Sequence, residues 1–289
     1  MNYLYSRAVL MIAMVTGAAS VFAQELTMPV APNYSQTSNP MIESPTWEMI
    51  RESIIGDVEL LDGEQLMSLD VPMTAADAGT VPFALTQRPG SGKRIKELVI
   101  VIDNNPMPLA AKFEFSDMMG DIHLETRVRY DVFSNIRAIV TTQSGETFMV
   151  GRFVEAAGGC SSSAVMDIDQ SLSMAGQMKM KHFLDTLSNT TAPSSSVQRE
   201  AQLMIRHPNF TGMQVSADTL EYIGARFINE IDVFAEDDLL FKMTGGFSIS
   251  EDPSFRFKFR DNGATELKVH IRDTSNATFS HTFPLEAGV

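Results

Sequence analysis

The sequence predicts an all-β protein: two β-sandwich domains joined by a flexible linker, with one short helix near the start. Three observations carry that prediction. Apolar and polar residues alternate with a period of two in segment after segment, and no long helical stretch separates the strand candidates. Near the middle of the chain the composition turns abruptly small and polar. Strands this closely spaced leave no room for crossover helices, so the sheets are expected to be antiparallel.

The chain opens with Arg7, an apolar run from Ala8 to Val15, small residues from Thr16 to Ser20, then Val21-Phe22-Ala23. This is the pattern of a secretory signal peptide over residues 1–23, cut before Gln24. The apolar run is well short of the ~20 residues that span a bilayer, and no stop-transfer pattern follows, so no membrane anchor is expected. Residues 24–46 are polar and proline-bearing and read as a disordered leader. Trp47, Ile50 and Ile54 then stand at helical spacing and predict a short helix.

The first sandwich is expected over residues 47–157. In IHLETRVRYDV (122–132), Ile122, Leu124, Thr126, Val128, Tyr130 and Val132 alternate with His123, Glu125, Arg127, Arg129 and Asp131, so one face is buried and one wet. ELVIVI (97–102) is apolar after its first residue, as a central strand would be, and DNNPMP ends it with turn residues. AKFEF (111–115), RAIVTT (137–142) and TFMVGRFVEA (147–156) continue the series. Residues 158–176, GGCSSSAVMDIDQSLSMAG, have linker composition. The second sandwich is expected over residues 177–289, where MKMKHFL, REAQLMI, FINEIDVF, DLLFKM, SFRFKFRD and ELKVHIRD follow in turn. Phe255, Phe257 and Phe259 face one way against Arg256, Lys258 and Arg260, and Leu267, Val269 and Ile271 repeat the device.

A formal charge of -14, one unit more negative once Arg7 is removed, argues against nucleic acid or anionic lipid as partner. The acidic surface speaks to solubility as readily as to docking on a basic protein. The chemistry concentrates on Cys160, the only cysteine, in the run GGCSSS. Export places it where thiols are oxidised, and glycine and serine supply no apolar cover, so the thiol is expected to stand in water on an arm made flexible by Gly158 and Gly159. Its neighbours offer little activation: Glu155 is acidic and Arg152 lies eight residues back.

Other candidates are set against blander readings. Met174, Met178, Met180 and His182 form a set of soft donors that would suit Cu(I), but Met178 and Met180 alternate with Lys179 and Lys181 as inward residues of a strand would. No resident metal or cofactor is therefore expected. GSGK (90–93) precedes a strand and lacks the upstream glycine of a phosphate loop, so it is a turn. The five histidines, His123, His182, His207, His270 and His281, are scattered without zinc spacing, and His207 beside Pro208 reads as a turn-packing residue. Glu236, Asp237 and Asp238 mark a solvated hairpin tip with at most a weak cation site. No G-x-S-x-G motif is present.

The stretch from LDVPMTAADAGTVP through KELVIVIDNNPMPLAAKFEF to RFVEAAGGC resembles the SoxY sulfur-carrier family, including its Asn-Pro turn and its Gly-Gly-Cys end. The second half resembles the SoxZ family: MKMKHF its opening strand, HPNFTG its His-Pro turn, and ISEDPSFRFKF its Asp-Pro lead into a strand. The order is similar to that of the fused SoxYZ-like proteins associated with quinoprotein alcohol dehydrogenases. The resemblance implies two immunoglobulin-like sandwiches that pack on each other in cis, a periplasmic location, and a carrier role for Cys160 alone, with no turnover of its own. It implies partners among periplasmic redox or sulfur-handling enzymes, as in thiosulfate oxidation, with a quinoprotein dehydrogenase and its cytochrome as candidates. The sequence departs from the family in that Ser161, Ser162 and Ser163 follow the cysteine and the chain runs on. A tethered turn reaches at most about 10 Å beyond Ala157, enough for a shallow site rather than a deep tunnel.

Three functions stay open on these residues. The chain is a covalent carrier on Cys160, or a non-catalytic accessory of a quinoprotein dehydrogenase with the cysteine incidental, or a thiol enzyme. The last lacks a base beside the sulfur.

Overall fold

A computed structural model describes residues 39–162, 167–183 and 198–285 of the chain. The expected signal peptide, and the leader as far as residue 38, lie outside the described residues. From Asn39 onward the leader is not loose, and this corrects the sequence expectation. Asn39 is buried, its side chain donates to Phe153 O (3.0 Å), and Ile42 exchanges hydrogen bonds with the Asn135 side chain (3.0 and 2.9 Å). Polar composition suggested solvation, but the polar groups here satisfy a sheet edge and a buried amide.

Helix α1 (Pro45–Ile55) starts two residues before Trp47 because Ser44 caps it, accepting from Trp47 N (3.2 Å), and Pro45 suits the first turn. Gly56, at φ 74°, ends it. Its apolar stripe, Trp47, Ile50 and Ile54, packs on Val99, Val101 and Ile139 of the sheet below. That contact explains why ELVIVI shows no alternation. Leu98, Ile100 and Ile102 face the main core while Val99 and Val101 lie under the helix, so both faces are buried.

The first half contributes β1 (Leu60–Asp62), β2 (Met67–Asp70), β3 (Val81–Gln87), β4 (Ile95–Ile102), β5 (Leu109–Phe115), β6 (His123–Val128), β7 (Ser134–Thr142) and β8 (Thr147–Val154). The second contributes β9 (Met178–Phe183), β10 (Gln198–Ile205), β11 (Ile228–Ala235), β12 (Asp238–Gly245), β13 (Ser254–Arg260), β14 (Glu266–Asp273) and β15 (Thr278–Pro284). They form two sheets, ordered β1-β8-β7-β4-β5-β12-β11-β14-β15 and β2-β3-β6-β13-β10-β9. Neighbouring strands are antiparallel except β1 with β8.

Each sheet crosses from one half of the chain to the other. β5 pairs with β12 (Phe115 opposite Phe241, Ala111 opposite Gly245), and β6 pairs with β13 (Arg256 opposite Glu125). The halves thus share their ladders, which removes two pairs of sheet edges that separate sandwiches would leave open. Between the layers the phenylalanines meet: Phe241 lies 5.1 Å from Phe257 and Phe113 lies 6.1 Å from Phe255, ring centre to ring centre. Phe255, Phe257 and Phe259 are fully buried, as their alternation predicts, and one core runs through both halves.

The stretch expected as a linker is more ordered than its composition suggests. Residues 158–162 form a docked turn, and α2 (Ile168–Ser173) is capped by Asp167, which accepts from Gln170 N (2.8 Å). Ser163 lies outside the described residues. The strand expected over 122–132 also ends early. After Val128 the backbone turns away, Arg129 N donating to Ser248 O (2.7 Å) and Tyr130 N to Ala78 O (2.9 Å), so Arg129 is buried and Val132 is 44% exposed, the reverse of the expected alternation.

Candidate functional site

The site is built where β6 runs out, at the junction of the two halves. Asn105, in the DNNP turn, fixes the emerging chain: its side chain donates to Arg129 O (2.7 Å) and Ser248 Oγ (3.0 Å) and accepts from Asp131 N (2.9 Å). Arg129 is 2% exposed and reaches into the second half, donating to the carbonyls of Pro208, Asn209 and Phe247. Its nearest carboxylate, Glu251, stands 4.0 Å away, so carbonyl dipoles rather than a close counter-ion hold this cation. Burial lowers its pKa, with Glu251 opposing.

The cysteine turn lies against this segment. Gly158 N donates to Asp131 O and Gly159 N to Tyr130 O (2.8 Å each), and Ser162 N closes the turn on Gly158 O (3.0 Å). Gly158 has φ 85° with open space where a Cβ would stand, and a Cβ at Gly159 would come within 2.1 Å of Ala78 O, so backbone conformation demands the first glycine and close packing the second. They shape and seat a docked turn here, where the sequence suggested a loose arm. From the other side a hairpin of the second half grips the turn: Thr211 Oγ1 donates to Cys160 O (2.6 Å) and Gln214 Nε2 to Ser162 O (3.3 Å).

Cys160 is consequently 0% exposed, which corrects the expectation of a thiol standing in water. The groups that hold its turn shut come from residues far along the chain, Tyr130 and Asp131 on one side and Thr211 and Gln214 on the other. Burial pushes the thiol up to about 12, Asp131 adds to the rise, and the Arg129 guanidinium opposes it. At pH 7 only about one thiol in 10⁵ is then ionised in this closed state, so it is chemically quiet. Yet Gly158, Ser161 and Ser162 are exposed, so a single turn separates the sulfur from solvent.

The remaining candidates do not converge on it. Met178, Met180 and His182 share one face of β9, opposite Ile205, Leu203 and Ala201 of β10, and the two methionines pack against the core, while Met174 ends α2. Among the described residues no group of three His, Cys, Asp or Glu side chains is placed to hold a metal. His207 is buried, accepting from Asn209 N (3.0 Å) on Nδ1 and facing Asp273 Oδ2 (3.4 Å) on Nε2, a corner of the fold rather than a base. Glu236, Asp237 and Asp238 splay toward Thr265, Lys268 and Asn262 respectively.

Sequence reasoning missed Arg129, Asn105, Thr211 and Gln214. Arg129 was masked by a regular alternation. DNNPMP, which contains Asn105, and HPNFTG, which contains Thr211 and ends two residues before Gln214, were legible as turns but not as parts of this site. A separate groove of about 670 Å³ near α1 is lined by Met41, Trp47, Arg137 and Met149 and contains none of the expected site residues.

Two family models match the chain in tandem: Sulfur oxidation protein SoxY over residues 51–160 and Sulphur oxidation protein SoxZ over residues 189–284. A search among curated proteins gives no match. Among solved structures the chain is similar to the sulfur carrier protein SoxY from Chlorobium limicola f thiosulfatophilum, at 18% identity over 38% of this chain and 89% of that one, with a TM-score of 0.30. It is also similar to a tetra-tandem repeat in the extending region of a large adhesion protein, at 9% identity over 76% of this chain and 49% of that one, with a TM-score of 0.20. The two family matches follow each other without overlap and cover most of the sequence, and the chain belongs to the SoxY and SoxZ families, joined as a SoxY/SoxZ fusion.

Proposed function

We propose that the protein is a periplasmic, non-catalytic carrier that takes a sulfur-containing group covalently on Cys160 and presents it to partner enzymes. The observation that carries this reading is the end of the SoxY match on Cys160, the chain's only cysteine. Burial adds a condition. The turn must lift before the thiol reacts, and four hydrogen bonds hold its backbone to the two flanking segments. At about 0.5–1.5 kcal/mol net each, they set an opening cost of roughly 2–6 kcal/mol, within reach of a docking partner. Loading by exchange balances without an outside oxidant. The opened thiol gives its proton to solvent and attacks a sulfur on the donor; one S–S bond forms as another breaks, and the leaving thiolate stays with the donor.

Intact-mass spectrometry of protein drawn from its native periplasm, before and after reductant, tests the proposal. The expected result is a reductant-labile mass on the Cys160 peptide and an N-terminus at Gln24. A uniformly free sulfhydryl would overturn it. The closed thiol itself favours a second reading, an accessory protein of a quinoprotein dehydrogenase system with Cys160 incidental. Under that reading Cys160→Ser keeps full function, whereas a carrier loses all of it.

A further inference from the structure

The far end of the hairpin that grips the cysteine turn carries two of the three most exposed large hydrophobic side chains among the described residues, Leu220 and Tyr222. Between β10 and β11 the chain doubles back: Phe210 bridges Arg226, Val215 bridges Tyr222, Ile223 N donates to Gln214 O, and Ser216 N donates to Glu221 O (2.9 Å each). The turn at its tip holds Leu220 at φ 60°, fixed by Leu220 N donating to Ser216 O (2.9 Å) and Thr219 N to Ser216 Oγ (3.3 Å). A left-handed leucine costs about 1–2 kcal/mol. No burial compensates, because Leu220 is 80% and Tyr222 76% exposed. The exposed Asp218 and Glu221 flank them, and no lysine or arginine occurs from Gly212 to Ala225.

We propose that this tip is a docking knob for a partner protein offering an apolar recess ringed by lysine or arginine. A strained backbone that displays a leucine and a tyrosine in water fits an anchor whose burial is completed by another molecule. The local acids, on a chain of net charge -14, select a basic rim and act against both a second copy of this chain and an anionic lipid surface. Two side chains make an anchor rather than a large interface, which suits a brief encounter. Gln214, at the base of the same hairpin, holds the turn at Ser162 O (3.3 Å), and the tip lies only about 10 Å further on at strand rise. A partner seated there is therefore next to Cys160, which is how the knob would serve the carrier reading it rests on for its purpose.

The test places photoreactive p-benzoylphenylalanine at position 222 of the full chain, in the cells that make it, with the same probe at the exposed Asn276 as control. The expected result is a crosslink to one other protein at a peptide with apolar residues beside lysine or arginine. It should fall about tenfold with Leu220→Asp, and likewise with Asp218→Lys/Glu221→Lys, at unchanged thermal stability. Crosslinks only to a second copy or to lipid, equal capture from Asn276, indifference to Leu220→Asp, or no crosslink would each overturn the knob. The crosslink is expected to persist in Cys160→Ser, so loss of cargo with docking intact condemns the carrier reading alone, and the reverse condemns the knob alone.

Discussion

Arg137 and Arg129 are both buried, on neighbouring stretches of the first half, and they are held in opposite ways. Arg137 makes a two-pronged pair with Asp103 (2.7 and 2.8 Å), itself 0% exposed, and lies 4.4 Å from the Trp47 ring. Every one of those partners belongs to the first half of the chain. Arg129 has no such carboxylate and spends its donors on three carbonyls of the SoxZ half. The first arrangement neutralises a charge inside one domain; the second stitches two domains together beside the only thiol. A buried guanidinium is thus a local prop in one place and an inter-domain clasp in the other.

The largest effect is expected at the local prop. Arg137→Leu leaves the Asp103 carboxylate buried without its cation, a loss of about 3–5 kcal/mol. Denaturant unfolding should show a lower midpoint at unchanged slope. Adding Asp103→Asn should recover part of the loss, since the uncompensated charge is then gone. Cys160 alkylation under native conditions should follow only the global stability. A specific rise in alkylation would show that the two arginines are not independent.

Arg129→Leu is expected to cost less, roughly 2–4 kcal/mol, because it orphans carbonyls rather than a charge. It should nevertheless raise alkylation of Cys160 about tenfold, by loosening the 129–131 segment that receives Gly158 N and Gly159 N. The electrostatic change alone runs the other way. Arg129 draws the thiol's pKa down, so removing its charge makes the sulfur less ionised. A rise larger than the global destabilisation accounts for can then only mean a more open turn, and one no larger than that, or a slower reaction, would refute the clasp.

The same contrast explains what the sequence disclosed. Strands whose environment repeats residue by residue were legible: Phe255, Phe257 and Phe259 alternate because one layer faces them and solvent the other. Even ELVIVI read as a central strand, although only the structure shows α1 behind it. In β3 Val81, Phe83 and Leu85 are buried in strict alternation, but Pro82 disguised the strand. What failed was the junction. Arg129 continues a wet face in sequence and is bound by carbonyls about 80 positions away, and Cys160 sits in solvent-like composition yet is buried, its carbonyl held by Thr211, 51 positions on. Local pattern reports local environment, and cover supplied from the other domain leaves no local trace. The identity of the reactive residue was legible because one cysteine stood alone; its state was not.

The smallest predicted effect tests that state most directly. Thr211→Val keeps shape and removes the hydroxyl that donates to Cys160 O (2.6 Å) and accepts from Met213 N (3.1 Å). The expected stability change is about 1 kcal/mol, and the gain in Cys160 alkylation is about fivefold, the same energy expressed as population of the open turn. The pH profile separates two routes. A thiol that reacts only after the turn lifts regains an ordinary pKa near ~8.5, so the rate should level off above that pH in wild type and variant alike. A thiol that reacts in place, with a pKa pushed up to about 12, should keep gaining rate through pH 11. Wild-type labelling at pH 8 as fast as in the unfolded chain would mean the turn is not closed in solution, and Arg129 would lose its distinction from Arg137.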